Sequence, residues 1–438
     1  MSSNIFERSP VYFCLNNLLM RGISLATLIL NLLCFTVSAQ YKNIRLGEGY
    51  ASGPSVAINP RNPADIVVVS GKDDVYVSRD GGKTWEPRKV TSPHGVHGDP
   101  VVVADSKGTF YFFHLGRLVS TGASETDVVI CQVSYDNGLT WDGGNVVTPA
   151  AVMQQLNPWP AIDSKGNIYL TWTQLEKGTD GECKSVIMLS TSGNGKKWSR
   201  PVEIYRGGSC VAGDEMAMGT MPATTDDKKV YVSWSSQGKI FVDRSFDGGS
   251  LWLSNDIFAT DQPGGWDFKI SGHDRSNGLP ILISDRSKTE RKGLLYMVWS
   301  DQRSGADDTD VWFMRSNNFG DYWSTPSKLG NTAKDKHQYM PALTIDNSTG
   351  IIYILFYDRG EYDDARTDVY LAFSGDAGLN FKTVKVSEKP FIPEEQNAFG
   401  NHLHISAHKG IVVPVWTRID DGKTSTMTTV INQSALPK

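Results

Sequence analysis

From about residue 54 onward the chain repeats one pattern: short apolar runs rich in β-branched and aromatic residues, cut by polar turns that carry glycine, asparagine or aspartate. One set of runs opens at Pro54-Ser55-Val56, Pro100-Val101-Val102, Pro160-Ala161-Ile162, Pro222-Ala223-Thr224, Pro280-Ile281-Leu282 and Pro341-Ala342-Leu343, with a seventh at Asn401-His402-Leu403-His404. A second set includes Ile66-Val67-Val68-Val69, Ile168-Tyr169-Leu170-Thr171-Trp172, Val230-Tyr231-Val232-Ser233-Trp234 and Leu295-Tyr296-Met297-Val298-Trp299. A third runs straight into the turns, as Val75-Tyr76-Val77 and Val311-Trp312-Phe313 do. Runs of this length and composition, bounded by turn residues, predict strands.

The turns after the third runs share a template, S/T-x-D-x-G-x-x-W/F. It appears at Ser78–Trp85, Ser134–Trp141, Thr191–Trp198, Ser245–Trp252, Ser316–Trp323 and Ser374–Phe381. An aspartate in such a turn can accept main-chain N–H groups across the loop. The glycine takes a positive φ that a Cβ resists, and the aromatic returns to bury its ring between sheets. Asp80, Asp136, Asp247 and Asp376 hold this structural place, whereas Gly193 and Asn318 stand where the aspartate is expected, which predicts two weaker turns. The motif resembles the Asp-box, or bacterial neuraminidase repeat, of the sialidase superfamily.

Third positions of the six boxes fall at 80, 136, 193, 247, 318 and 376, so one unit spans close to 57 residues. Seven first, second and third runs stand against six box-borne outer runs. The missing outer strand is expected from the amino terminus, around Tyr41–Leu46, which would close a ring and remove an exposed sheet edge. The reading is therefore all-β: a single propeller of seven four-stranded blades over residues 40–438, with a six-bladed sialidase-like propeller as the alternative. A long loop, Asp261–Leu279, accounts for the extra length of the fifth unit.

Met20–Ala39 has a basic start, an apolar run and a small-residue exit, the order of a secretory signal peptide. Its apolar run is shorter than the ~20 residues a membrane span needs, and Asn31-Leu32-Leu33-Cys34 lacks the small residues of a lipobox. Residues 1–39 are read as extension and signal, and the mature chain as secreted to the periplasm, cell surface or exterior, without a membrane span and monomeric. A net charge of −5 without a long basic run argues against nucleic acid as a partner. An oxidising compartment permits a Cys183–Cys210 disulfide, while Cys131 sits in an apolar run as a buried thiol.

Four-stranded blades sort their loops onto two faces. The boxes lie on one; the blade-to-blade loops and the loops joining second to third strands lie on the other, around the channel mouth. The blade-to-blade loops carry His94, His97, Asp99, Trp159, Asp214, Glu215, Trp266, Asp267, His273, Asp274, Gln338, Tyr339 and His402. The remaining loops carry Asp301, Arg303, Asp307, Asp308, Asp310, Asp358, Arg359, Asp368, Arg418 and Asp420. Carboxylates and guanidiniums beside aromatic platforms suit a glycan or other small polar ligand. His97, Trp159, Trp266, His273, Arg303, Arg359, Tyr339 and His402 are candidate ligand contacts; Asp99, Asp267 and Glu215 are candidate catalytic carboxylates. Asp301/Arg303 and Asp358/Arg359 recur at matching places in successive blades, which points to pairing within the loop. No cofactor is expected, although Asp307, Asp308 and Asp310 have the oxygen chemistry of a calcium site.

The family resemblance implies more: three arginines clamping a sugar carboxylate, a tyrosine nucleophile activated by a glutamate, and an aspartate acid/base. Arg303, Arg359 and Arg418 lie on the right face, Asp99 matches the acid/base, and Tyr339 or Tyr357 the nucleophile. The F/Y-R-I-P motif of sialidases is missing, since the first strand reads Gly53-Pro54-Ser55-Val56-Ala57. Two functions stay open: a secreted sialidase-like glycoside hydrolase, and a non-catalytic propeller that binds glycan or protein at the same mouth.

Overall fold

The computed structural model describes residues 41–49, 53–118, 126–148, 154–177, 181–211, 213, 215–330, 334–393 and 402–437. The signal segment, Asp214 and Asn401 lie outside them, as does the side chain of Asp274. Short β-branched runs pair with their chain neighbours into seven antiparallel sheets arranged as a propeller. Blade 1 comprises Ser55–Ile58, Ile66–Ser70, Asp74–Ser78 and Glu86–Lys89. Blades 2 to 6 repeat the order from Gly98–Ala104, Gln154–Ile162, Met218–Thr224, Ile281–Ser284 and Gln338–Asp346 as first strands. Blade 7 takes His404–His408, Ile411–Asp420 and Lys423–Thr428 from the carboxyl end and its outer strand, Ile44–Glu48, from the other end of the chain.

That closing strand pairs Ile44 with Thr428 and Glu48 with Ser425, with a register slip between Arg45 and Gly47. Asn43 clamps it to blade 6: its Nδ2 donates to Val386 O at 2.9 Å, and its Oδ1 accepts the Glu388 N–H at 2.9 Å. The strand begins three residues later than the sequence suggests, although Tyr41 itself is buried in the core between blades 6 and 7.

The second strands are buried on both faces because blades pack against each other face to face, and Ile66–Ser70 is buried throughout. Trp172, Trp234, Trp299 and Trp416, at matching positions, are among the largest fully buried side chains. Each such indole removes a large apolar area from water, worth a few kcal/mol at ~25 cal/mol per Å².

The box turns behave as their chemistry predicts. In the first, Asp80 Oδ1 accepts the N–H groups of Lys83 and Thr84 at 3.0 Å each, and Oδ2 accepts the Thr84 hydroxyl at 2.6 Å. Hydrogen bonds from Thr84, Ser78 and Lys83 hold its carboxyl at about 2. The third box corrects the expectation: it is one residue shorter, so Asn194 and not Gly193 fills the acceptor place, taking Lys196 N–H at 2.9 Å and Lys197 N–H at 3.1 Å. Asn318 does the same for Tyr322 N–H at 3.1 Å.

A second correction concerns the Asp261–Leu279 segment, which is not a plain loop. Asp267–Ile270 and His273–Asn277 pair as a hairpin between blades 4 and 5. Cys183 and Cys210 are disulfide-bonded, with Cα atoms 5.4 Å apart, and Cys131 is a buried free thiol. Among the described residues no helix is long and apolar enough to cross a membrane.

Candidate binding site at the channel mouth

The first strands run side by side from the blade-to-blade loops toward the box face and enclose the central channel. In blades 2, 3, 4 and 6 each of these strands slips register at the mouth end. The slips coincide with a left-handed residue: Asp99 at φ 50°, Asn157 at 55°, Gly219 at 77° and Met340 at 50°. Only glycine adopts that conformation without cost, so three non-glycine residues there carry backbone strain that the surrounding packing must hold. In three of the four a proline follows directly. Bulges of this kind re-aim side chains at the ends of strands.

Asp99 is the carboxylate this arrangement half-buries. Its Oδ2 accepts the Asn157 N–H from the next blade at 3.1 Å. Burial raises its pKa, and that hydrogen bond only partly offsets the shift. Two residues beyond Asn157, Trp159 leaves blade 3 and meets blade 7 edge-on, with its ring 5.2 Å from His402 and 5.5 Å from His404. Blades 1 and 2 separate those two sheets in the ring, so the indole spans the channel. Burial keeps both imidazoles neutral, lowering His402 to about 3 and His404 to about 4. His404 Nδ1 accepts the Val56 N–H at 3.0 Å, so its proton sits on Nε2. His402 fits against Gly53 because a Cβ there would lie 2.8 Å from its ring.

The other two candidate carboxylates come from different blades and environments. Glu215 is exposed beside the disulfide and accepts the Ser209 hydroxyl at 3.0 Å. Asp267 begins the inserted hairpin opposite Asn277. His97 is exposed, whereas Trp266 is 3% exposed with its Nε1 donating to Met216 O at 3.0 Å, so its ring has no face for a ligand.

The arginines are committed within their own neighbourhoods. Arg303 grips Asp301 through Nε at 3.0 Å and Nη2 at 2.6 Å, and stacks over Trp312 and Trp299. Arg418 forks onto Asp420 at 2.7 and 2.8 Å. Arg359, 3% exposed, donates from Nε to Thr367 Oγ1 at 3.1 Å and from Nη1 to Ser271 O, and covers the Tyr339 ring. Tyr339 and Tyr357 are both buried, which raises their hydroxyl pKa values; Tyr357 donates to Thr417 O at 2.8 Å, and the His273 ring lies 6.0 Å from that of Tyr339. A clamp of three free guanidiniums around an accessible tyrosine is not what these contacts build. Asp310 is held by Lys328 and the Ser304 hydroxyl, each at 2.6 Å. No three His, Cys, Asp or Glu side chains form a metal-ligand group among the described residues.

Sequence reasoning placed Asp99, Trp159 and His402 on the mouth but did not single out His404 or the strained bulges. The Asp-Pro, Asn-Pro and Met-Pro pairs at 99, 157 and 340 were their visible signal.

The sequence matches no protein-family model and no curated protein sequence. Solved structures do resemble the fold. An ulvan lyase bound to -[GlcA(1-4)Rha3S]- matches with TM-score 0.52 at 12% identity, over 91% of this chain and 100% of that one. The α-L-arabinofuranosidase of Fusarium graminearum matches with TM-score 0.50 at 12% identity, over 91% and 100%. YCF48 bound to a D1 peptide matches with TM-score 0.48 at 13% identity, over 92% and 98%. Likeness at these identities is one of fold, and the lyase and the arabinofuranosidase already differ in the chemistry they carry on it.

Proposed function

We propose that the chain is an extracytoplasmic propeller of the sialidase-like Asp-box kind that binds a glycan at the channel mouth without cleaving it. Trp159 supplies the aromatic platform, and Asp99 and His402 the polar contacts. One observation carries this reading: the mouth aspartates of blades 5 and 7 are tied to their own cations, as Asp301 is to Arg303 and Asp420 to Arg418. Glycoside hydrolysis ordinarily needs two carboxylates flanking the bond, and among the described residues Asp99 is the half-buried carboxylate beside the platform without a cation. The disulfide supports an oxidising address.

Hydrolysis remains the second reading because the raised pKa of Asp99 suits a general acid. Calorimetric titration of the full chain with neutral and acidic oligosaccharides, run beside product analysis, separates the two. Binding without product is expected, with Trp159→Ala weakening it by about tenfold or more, as stacking contacts do. Product release that disappears in Asp99→Asn would instead establish the enzyme, and no binding to any glycan in the panel would remove both readings.

A further inference from the structure

Each first strand is the end strand of its sheet, so one row of its main-chain N–H and C=O groups has no ladder partner and looks into the channel. The cavity of about 320 Å³ enclosed by the seven strands is therefore a polar tube, despite the aliphatic residues along it. Trp159, His402 and His404 close over its mouth end. Its opposite end, beside the Asp-boxes, is lined by Pro60, Arg286, Asn347 and His408.

Arg286 follows the first strand of blade 5, and its Nη1 donates to Ile162 O of blade 3 at 2.7 Å, so the side chain passes blade 4 within the channel. Its main-chain N–H is fixed by Asn347 Oδ1 at 2.9 Å. A guanidinium has five N–H donors in a planar fork, and that carbonyl takes one. The two carboxylates that act on it through space have other partners, although Asp226 Oδ1 has none. Asp226 pairs with Lys292 at 3.1 Å, and Asp163 accepts Lys165 N–H, Asn167 N–H and the Asn167 amide within its own turn. Both act on Arg286 through space, but burial outweighs them and pulls its pKa down. A cation held with spare donors in a polar, partly closed chamber is short of a counter-charge.

We propose that the box-face half of the channel is a second ligand site, which takes a small hydroxylated anion, a sugar bearing one carboxylate or phosphate. Arg286 forks onto the anionic group, and the unpaired strand edges bond the hydroxyls. The site is separate from the glycan mouth, since the Trp159 bridge lies between them.

Calorimetric titration of the full chain with glucuronate, glucose 6-phosphate and glucose at matched ionic strength tests this. At least one anion should bind about tenfold more tightly than glucose, and which one does so distinguishes carboxylate from phosphate. Arg286→Gln should abolish the preference, and Arg286→Lys should keep only part of it because the ammonium lacks the fork. Equal binding of anions and glucose, or none by any of them, overturns the proposal. Should Arg286→Gln fail to fold, Arg286→Lys still decides: an anion preference undiminished in that variant would show that the guanidinium fork does not hold the anion.

Discussion

Asp243, in the third strand of blade 4, is fully buried, and only its Oδ1 has partners, the N–H groups of Arg244 at 2.6 Å and Leu253 at 3.2 Å. Burial, reinforced by nearby Asp256, pushes its pKa up to about 7 from an ordinary 3.8. The folded state thus holds the proton more tightly than the unfolded chain does. Stability from this group is complete below the unfolded value and is lost as pH climbs toward 7. Asp243→Asn keeps the Oδ1 acceptor and removes the charge. It should raise stability at pH 8 by about 1–3 kcal/mol and leave it nearly unchanged at pH 4, read from urea unfolding at both values. An equal effect at both would show that a buried charge is not the source. Nothing in the sequence around Asp243 marks it, because its burial depends on how neighbouring blades stack. The same limit applied to Arg359 and Trp266, polar-tipped residues that look like rim contacts in a one-dimensional reading and prove to be buried.

Turns are where the chain was most legible, since their chemistry is local. The box aspartates act within four residues of themselves, so the template alone identified them. A one-residue deletion hid the third, because Asn194 takes the acceptor role one place beyond the aligned position. A second staple on the box face went unread although its letters repeat. Asp105-Ser106-Lys107-Gly108-Thr109 and Asp163-Ser164-Lys165-Gly166-Asn167 fold alike, with Tyr111 and Tyr169 donating to the respective aspartates. The 267–277 hairpin was missed because its first strand, Asp267–Ile270, is only four residues long and its second, His273–Asn277, is wholly polar. In box 2, Asp136 accepts Thr140 N–H at 2.9 Å, the Thr140 hydroxyl at 2.6 Å and the Ser134 hydroxyl at 2.9 Å. Asp136→Ala should cost about 1–2 kcal/mol, whereas Asp136→Asn, which copies Asn194 and Asn318, should cost less than half of that. Thermal unfolding of the two variants measures the difference. Equal losses would mean that the carboxylate charge, and not its acceptor geometry, holds the turn.

At the scale of the whole ring, the count of strands told more than any single run, because a propeller short of one outer strand must find it at the other terminus. The closing strand Ile44–Glu48 covers the edge of Lys423–Thr428, and Asn43 ties it to blade 6 through Val386 and Glu388. Without it, blade 7 would present the open row of N–H and C=O groups that recruits strands from other molecules. A chain beginning at Gly49 should therefore lose several degrees of Tm and self-associate in size-exclusion chromatography, while Asn43→Ala, which removes only the clamp, should elute as the full chain does with a smaller loss. The two defects separate by rescue: a synthetic peptide spanning residues 40–49 added in trans should return the truncated chain toward the elution volume of the full chain, because the edge it fills remains formed by the carboxyl-terminal hairpin. A truncated chain that elutes as the full chain does, at full Tm, would mean that blade 7 holds without its fourth strand, and that the joined termini contribute little to keeping the ring shut.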